Sequence, residues 1–199
     1  MNRNLLNNNY LILNNFIKED HAISLSKQYI DSKNELDIDK FVPDAFVSYN
    51  SILGLEILSN TLSEVSRHVE ESLLPTYCYT RIYKSNDYLK KHTDRRACEI
   101  SITLHLDSDD TYSTPWPIYI ETPEGKSVGV SLKPGDAMIY LGCIAPHWRE
   151  PYVGKGYYSQ LFLHYVRSRG SYNDQYYDKN PKQCSENDVK LLKKEYSLL

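Results

Sequence analysis

The chain has 199 residues, 41% of them hydrophobic and 25% charged, with a formal net charge of −3. Such a length and balance fit one soluble domain able to bury a core, and they give no general electrostatic reason to bind nucleic acid. No apolar run approaches the ~18 residues that a membrane span needs, and the N-terminal "MNRNLLNNNYLILNNF" lacks the small-residue cleavage site of a signal peptide. Cys78, Cys98, Cys143 and Cys184 form no C-x-x-C pair; reduced thiols in the cytoplasm are expected, rather than a thiolate zinc site or a disulfide framework.

Along the chain, "NYLILNNFI" predicts a short strand and a turn, and "KEDHAISLSKQYIDSK" a helix with Ala22, Ile23, Leu25 and Ile30 toward one face. A second helix is expected from about Gly54 to Leu73, with Leu55, Ile57, Leu58, Leu62, Val65 and Val69 at 3- and 4-residue spacings and Pro75 as its stop. From 76 onward, short runs rich in Tyr, Ile, Val, Thr and Leu ("TYCYTRIYK", "CEISITLHL", "WPIYIET", "SVGVSL", "AMIYLG", "YYSQLFLHYVR") alternate with turns such as "PEGK" and "KPGD". Such strands predict a sandwich or barrel with N-terminal helices covering one face. The chain therefore divides into a helical part (1–75), a strand core (76–169), and a polar loop ending in a short helix begun by Ser185-Glu-Asn-Asp188 (170–199).

Before that core's second strand stands His92-Thr93-Asp94. In an extended segment, residues i and i+2 point to the same side. With six His and fourteen Asp in 199 residues, chance alone supplies about 0.4 such pairs, so the motif decides nothing by itself. His105-Leu106-Asp107 is a second copy, expected to face a turn at the strand's far end, and His68 belongs on a polar helix face. Two His and one carboxylate on a common face suit non-heme Fe(II). His147, in the connection after "AMIYLG", is the candidate third ligand.

In this order the motifs resemble the Fe(II)- and 2-oxoglutarate-dependent dioxygenases, in particular their prolyl-4-hydroxylase-like branch. The resemblance rests on "TRIYKSNDYLKKHTD", "ACEISITLHLD", "SLKPGDAMIYLGCIAPH" and "GYYSQLFLHYV", covers about residues 76–167, and includes the 55-residue step from His92 to His147. It implies an α+β, mainly β fold: a double-stranded β-helix, a jelly-roll or cupin-like barrel with helices on one face. It also implies that His92, Asp94 and His147 hold Fe(II), while 2-oxoglutarate and O2 are consumed to hydroxylate a C–H bond. The substrate it implies is a protein or peptide residue such as proline, with a free amino acid or small molecule as the alternative.

The family's cation for the far carboxylate of 2-oxoglutarate lies nine to eleven residues after the distal His, where this chain has Gly156, Tyr157 and Tyr158. Arg149, two residues from His147, is the expected substitute, with Lys155 and Arg81 behind it. Tyr83 and Thr103 are expected to help hold the 2-oxo acid. Arg95 and Arg96 are placed near the mouth, where they steer an anionic substrate or serve solubility. Gln160, Phe162 and His164 share a face of the last strand, inside or outside. Trp116 and Trp148 border the cleft or only pack. If a peptide is the substrate, the loops "DSDDTYSTPWP" and "SYNDQYYDKN" are expected to close over it; the second is otherwise a plain connecting loop. A non-catalytic barrel and a zinc hydrolase with the same three ligands remain as competing readings.

Overall fold

The computed structural model describes residues 1–109, 115–179 and 181–197. Three helices and three short strands come first: α1 (Arg3–Asn8), β1 (Tyr10–Leu13), α2 (Glu19–Asp31), β2 (Asp37–Ile38), β3 (Phe46–Tyr49) and α3 (Ile52–Val69). Eight strands and a last helix follow: β4 (Leu73–Lys84), β5 (Leu89–His92), β6 (Ile100–Ser108), β7 (Ile118–Glu121), β8 (Ser127–Val130), β9 (Ala137–Tyr140), β10 (His147–Arg149), β11 (Tyr157–Arg167) and α4 (Glu186–Tyr196).

The strands form two antiparallel sheets, one in the order β1-β9-β6-β11-β4-β3-β2 and the other β5-β10-β7-β8. This is a double-stranded β-helix whose two sheets do not close on each other. Period-2 alternation gives the larger sheet two different faces. Cys78 and Ile82 of β4, Ile100, Ile102, Leu104 and Leu106 of β6, and Leu161 and Leu163 of β11 pack against Ala22 and Leu25 of α2 and Ile57, Leu58 and Val65 of α3 in one apolar cluster. The alternate positions, Tyr77 to Tyr83, Ser101 to His105 and Tyr158 to His164, are turned toward the second sheet and are far more polar. Deleting a buried Leu such as Leu104 from the apolar layer costs about 2–5 kcal/mol, so the helices clamp the sheet that carries the polar face.

Three elements differ from the sequence-based expectation. The second helix stops at Val69, where Glu70 takes a left-handed conformation (φ 58°), well before Pro75. Pro75 lies inside β4, beside the register shift against His164 and Tyr165, and a bulge is where a strand tolerates a residue without an N–H. The helical N-terminal part also supplies β1, β2 and β3 to the seven-stranded sheet, so it shares one sheet with the barrel strands. Finally, His105 does not face a turn: it is 1% exposed and lies inside the barrel. Among the described residues, no helix is long and apolar enough to cross a membrane.

Candidate metal centre and cleft

His92 ends β5, a strand the sequence did not mark, and sits directly across the antiparallel pair from His147, the first residue of β10. Their ring centroids are 4.3 Å apart. Asp94 follows in the turn before β6, its N–H donating to the Gly142 carbonyl at 2.9 Å. Its Oδ1 lies 3.5 Å from His92 Nε2 and 3.6 Å from His147 Nε2, and the three donor atoms all lie within 4.8 Å of one another.

The outer side of each ligand is already tied down. His92 Nδ1 lies 2.8 Å from the Lys90 carbonyl and His147 Nδ1 2.9 Å from the Ala145 carbonyl. A carbonyl only accepts, so both Nδ1 atoms carry the proton and both Nε2 lone pairs face the shared centre. Ser101 Oγ donates to Asp94 Oδ2 at 3.2 Å, leaving Oδ1 for the His side. Burial works to raise the Asp94 carboxyl, but His147 and His92 beside it hold it well below the usual carboxylate range.

Asp94, Cys98 and His164 form a second set of potential ligands that shares the same carboxylate. That set needs a thiolate. Burial, with Asp94 adjacent, pushes the Cys98 thiol well up, and its sulfur lies 3.0 Å from the Tyr77 hydroxyl. We therefore take His92, Asp94 and His147 as the candidate centre.

These ligands open onto a cleft of about 450 Å³ whose walls include Tyr49, Tyr77, Tyr140, Phe162, Arg149 and Gln183. Arg149 is buried, with its guanidinium against the Trp116 ring (4.5 Å) and the Tyr158 ring (4.9 Å). Nη1 donates to the Trp116 carbonyl at 2.7 Å. Nε and Nη2 are buried and have no partner among the described residues. An uncompensated buried guanidinium is costly, so these donors point to an anion.

The other cations are placed differently. Arg81 also lines the cleft, but its Nε is 2.6 Å from Asp39 Oδ2 and its Nη1 donates to the Tyr83 hydroxyl at 2.9 Å. Lys155 is exposed in the turn before β11 and is not part of the cleft wall. Tyr83 is fully buried with its ring edge-on to Trp116 at 4.9 Å, and it does not line the cleft. Thr103 accepts a hydrogen bond from Gln160 Nε2 at 2.7 Å, behind the cleft wall.

Arg95 and Arg96 are committed to the C-terminal segment. Arg95 lines the cleft but forms a double contact with Asp178, its Nη2 at 2.6 Å from Oδ2, and Arg96 grips Asp188 at the start of α4 at 2.8 Å. Tyr49 donates to Asp178 at 2.5 Å. Of the two expected closing loops, 171–179 is thus tethered beside the cleft, while 110–114 of the other lies outside the described residues. Phe162 and His164 face inward and line the cleft. Trp116 packs under Arg149, and Trp148 stacks on Tyr119 at 5.5 Å; neither lines the cleft.

Sequence reading passed over Tyr140, whose ring meets His147 edge-on at 4.7 Å, and Gly142. Alternation in "AMIY" could have marked Tyr140, since Ala137 and Ile139 join the helix-side cluster. Gly142 is required by close approach: a Cβ there would stand 2.3 Å from the Cys98 carbonyl oxygen and 2.6 Å from Asp94 Oδ2.

A two-sheet barrel with a His-x-Asp and a distal His converging at one end defines a double-stranded β-helix with a candidate metal site. Solved structures of that fold match over most of the chain. A prolyl-4-hydroxylase from Pseudomonas putida aligns with TM-score 0.67 and 16% identity, over 84% of this chain and 97% of that one. A prolyl hydroxylase from Trichoplax adhaerens, in complex with a hypoxia-inducible-factor peptide fragment, gives 0.64 and 13% over 84% and 87%. HygX from Streptomyces hygroscopicus, with nickel, 2-oxoglutarate and hygromycin B bound, gives 0.65 and 10% over 84% and 86%. The chain has the fold of these 2-oxoglutarate-dependent oxygenases. No family model matches the sequence. No curated protein matches it either.

Proposed function

We propose that the chain is a non-heme Fe(II)- and 2-oxoglutarate-dependent oxygenase that hydroxylates a C–H bond of a protein or peptide residue such as proline. The observation that carries this reading is the convergence of two Nε2 lone pairs and one carboxylate oxygen beside a buried Arg149 with two unpartnered donors. Two imidazoles and one carboxylate on one face, with the opposite side open to a cleft, suit Fe(II). Bound there, Fe(II) with 2-oxoglutarate supplies the O2-dependent hydroxylation, with succinate and CO2 as co-products.

The protein's own residues bind, orient and exclude water. His92, Asp94 and His147 hold the metal, each fixed from behind by Lys90, Ser101 or Ala145. Arg149 takes the far carboxylate of the co-substrate, a charge-assisted contact in a dry site. Tyr83, whose hydroxyl accepts from Arg81, and Thr103, which accepts from Gln160, are set back from the cleft wall and are weaker candidates, as is Lys155 in its exposed turn. The Arg95–Asp178 pair holds the 171–179 segment at the mouth as the closing strap. Free thiols at all four cysteines support a cytoplasmic setting.

A small-molecule substrate is the second reading. It is favoured by a cleft of only about 450 Å³ and by the hygromycin B complex of a protein with this fold. The enclosing test is anaerobic visible absorption with Fe(II), before and after 2-oxoglutarate. A new charge-transfer band, absent in His92→Ala, supports the oxygenase. Metal uptake without a band points to the zinc reading, and no metal uptake to a binding barrel.

A further inference from the structure

Against the Tyr158 ring that Arg149 also touches lies a buried histidine that the proposed chemistry does not use. His105, on β6, has its Nδ1 2.8 Å from the Leu132 carbonyl, so that nitrogen carries the proton. Its Nε2 is buried and has no partner among the described residues. The ring lies flat on Tyr158, with centroids 4.2 Å apart and planes 2° from parallel. Arg149 rests against the same Tyr158 ring at 4.9 Å, with two unpartnered donors of its own.

We propose that His105 is a positioning residue for the co-substrate: when the far carboxylate of 2-oxoglutarate settles on Arg149, His105 Nε2 takes up one proton from solvent. The inference rests on the oxygenase reading and extends it to the protonation state of the carboxylate site. The empty site then holds one buried positive charge, the filled site two cations around one carboxylate.

The surrounding charges support this. Asp107, on the same strand, is engaged by the Tyr157 hydroxyl at 2.7 Å. Asp136, in the turn before β9, is engaged by the Asn15 and Lys133 N–H groups at 2.9 and 3.2 Å. Burial pushes the Tyr158 phenol up, so it stays neutral. Both carboxylates are held by uncharged donors and keep their charge, and Asp136 pulls the His105 value up, whereas Arg149 is a nearby cation with two donors unpartnered among the described residues. Burial first, then Arg149, push His105 down to about 4 against the pull of the Leu132 carbonyl, so it is neutral in the empty site at pH 7. A carboxylate on Arg149 offsets the guanidinium charge that helps hold the His105 value down, and a histidine relieved of a nearby cation gains its proton more readily.

The sign of the linkage follows. Ligand binding raises the His105 value from about 4, so affinity strengthens as pH falls through the bound-state value and levels off near the free one. The limiting slope is about tenfold per pH unit.

The test is calorimetry of 2-oxoglutarate binding to the Ni(II)-loaded protein between pH 5.5 and 8, in buffers of different ionisation enthalpy. Nickel loading keeps the complex unreactive and sheds the ligand protons beforehand. We expect net proton uptake approaching one per 2-oxoglutarate at the acid end, and affinity that rises toward low pH. His105→Asn, whose amide can still donate to the Leu132 carbonyl, should lose both while keeping nickel and its melting temperature. Binding of 2-oxoglutarate by the wild type without proton uptake overturns the role of His105 and leaves the oxygenase reading standing. Unchanged uptake in His105→Asn, or in His105→Gln, overturns it equally. No binding at any pH overturns the oxygenase reading and this inference together.

Discussion

His92 and His147 face each other across the β5–β10 pair, each with Nδ1 held by the carbonyl two residues before it and Nε2 turned to the same point. The arrangement is local on both strands. Each imidazole is oriented by its own backbone, and the Asp94 carboxylate lies between them, 3.5 and 3.6 Å from the two Nε2 atoms.

Removing that charge should empty the site without unfolding the barrel. Asp94→Ala is expected to lower iron-dependent 2-oxoglutarate turnover by more than about a hundredfold, while the melting temperature stays close to wild type, because the carboxylate is itself one of the three candidate ligands and bears no part of the apolar layer. Iron titration followed by thermal melting checks this; retained turnover would move the centre elsewhere.

Arg149→Met should raise the 2-oxoglutarate requirement about tenfold to a hundredfold, the worth of a charge-assisted contact of ~1.5–3 kcal/mol, with iron affinity unchanged. Lys155→Ala should leave it unaltered. The pair of titrations identifies the cation, and the opposite result would assign it to the β11 turn.

Gly142→Ala tests close approach. The added Cβ meets Asp94 Oδ2, Ser101 Oγ and the Cys98 carbonyl at 2.3–2.7 Å, so Asp94 must move. We expect metal affinity to fall about tenfold or more, as for lost outer support of a ligand, in a protein that still folds. Equilibrium dialysis with Ni(II) measures it.

In the first turn of α4, Asp188 closes the capping box and accepts from Arg96. Burial raises its carboxyl, but the Ser185 hydrogen bonds and Arg96 overcome this and hold it at about 2. A depressed carboxylate stabilises above its unfolded value of about 4, and that contribution is lost as pH falls through the folded value. Asp188→Asn should therefore be less stable than wild type by at most about 2 kcal/mol at neutral pH, a Tm difference of ~5 °C. The two melting curves should converge between pH 4 and pH 2, which thermal scans across that window would reveal.

Much of the barrel is legible from short-range pattern. Alternation in "YYSQLFLHYVR" and in "CEISITLHL" makes these strands and sorts their residues into two faces, because successive side chains point oppositely. The spacing of Leu55 to Val69 makes a helix, and Ser185 with Asp188 announces the next one. The H-x-D and the later His stand in an order that a barrel can bring together. None of this says which sheet face is inward: Gln160, Phe162 and His164 share a side in either case. Their side was decided when α2 and α3 covered the Leu161 and Leu163 face.

Charge was beyond the reach of the sequence for the same reason. Arg81, Arg95 and Arg96 look as available as Arg149 in one dimension, yet their counter-ions Asp39, Asp178 and Asp188 arrive from 42, 83 and 92 residues away. The sequence by itself determined most of the barrel strands, α2, the body of α3, α4 and the order of the three candidate ligands, since those follow from neighbours a few residues apart, whereas α1, β2, β3, β5 and β10 carry no such local signal. Only the tertiary structure decided which cation stays unpaired and which histidine sits behind it, because burial and electrostatic compensation depend on every segment that packs around a site.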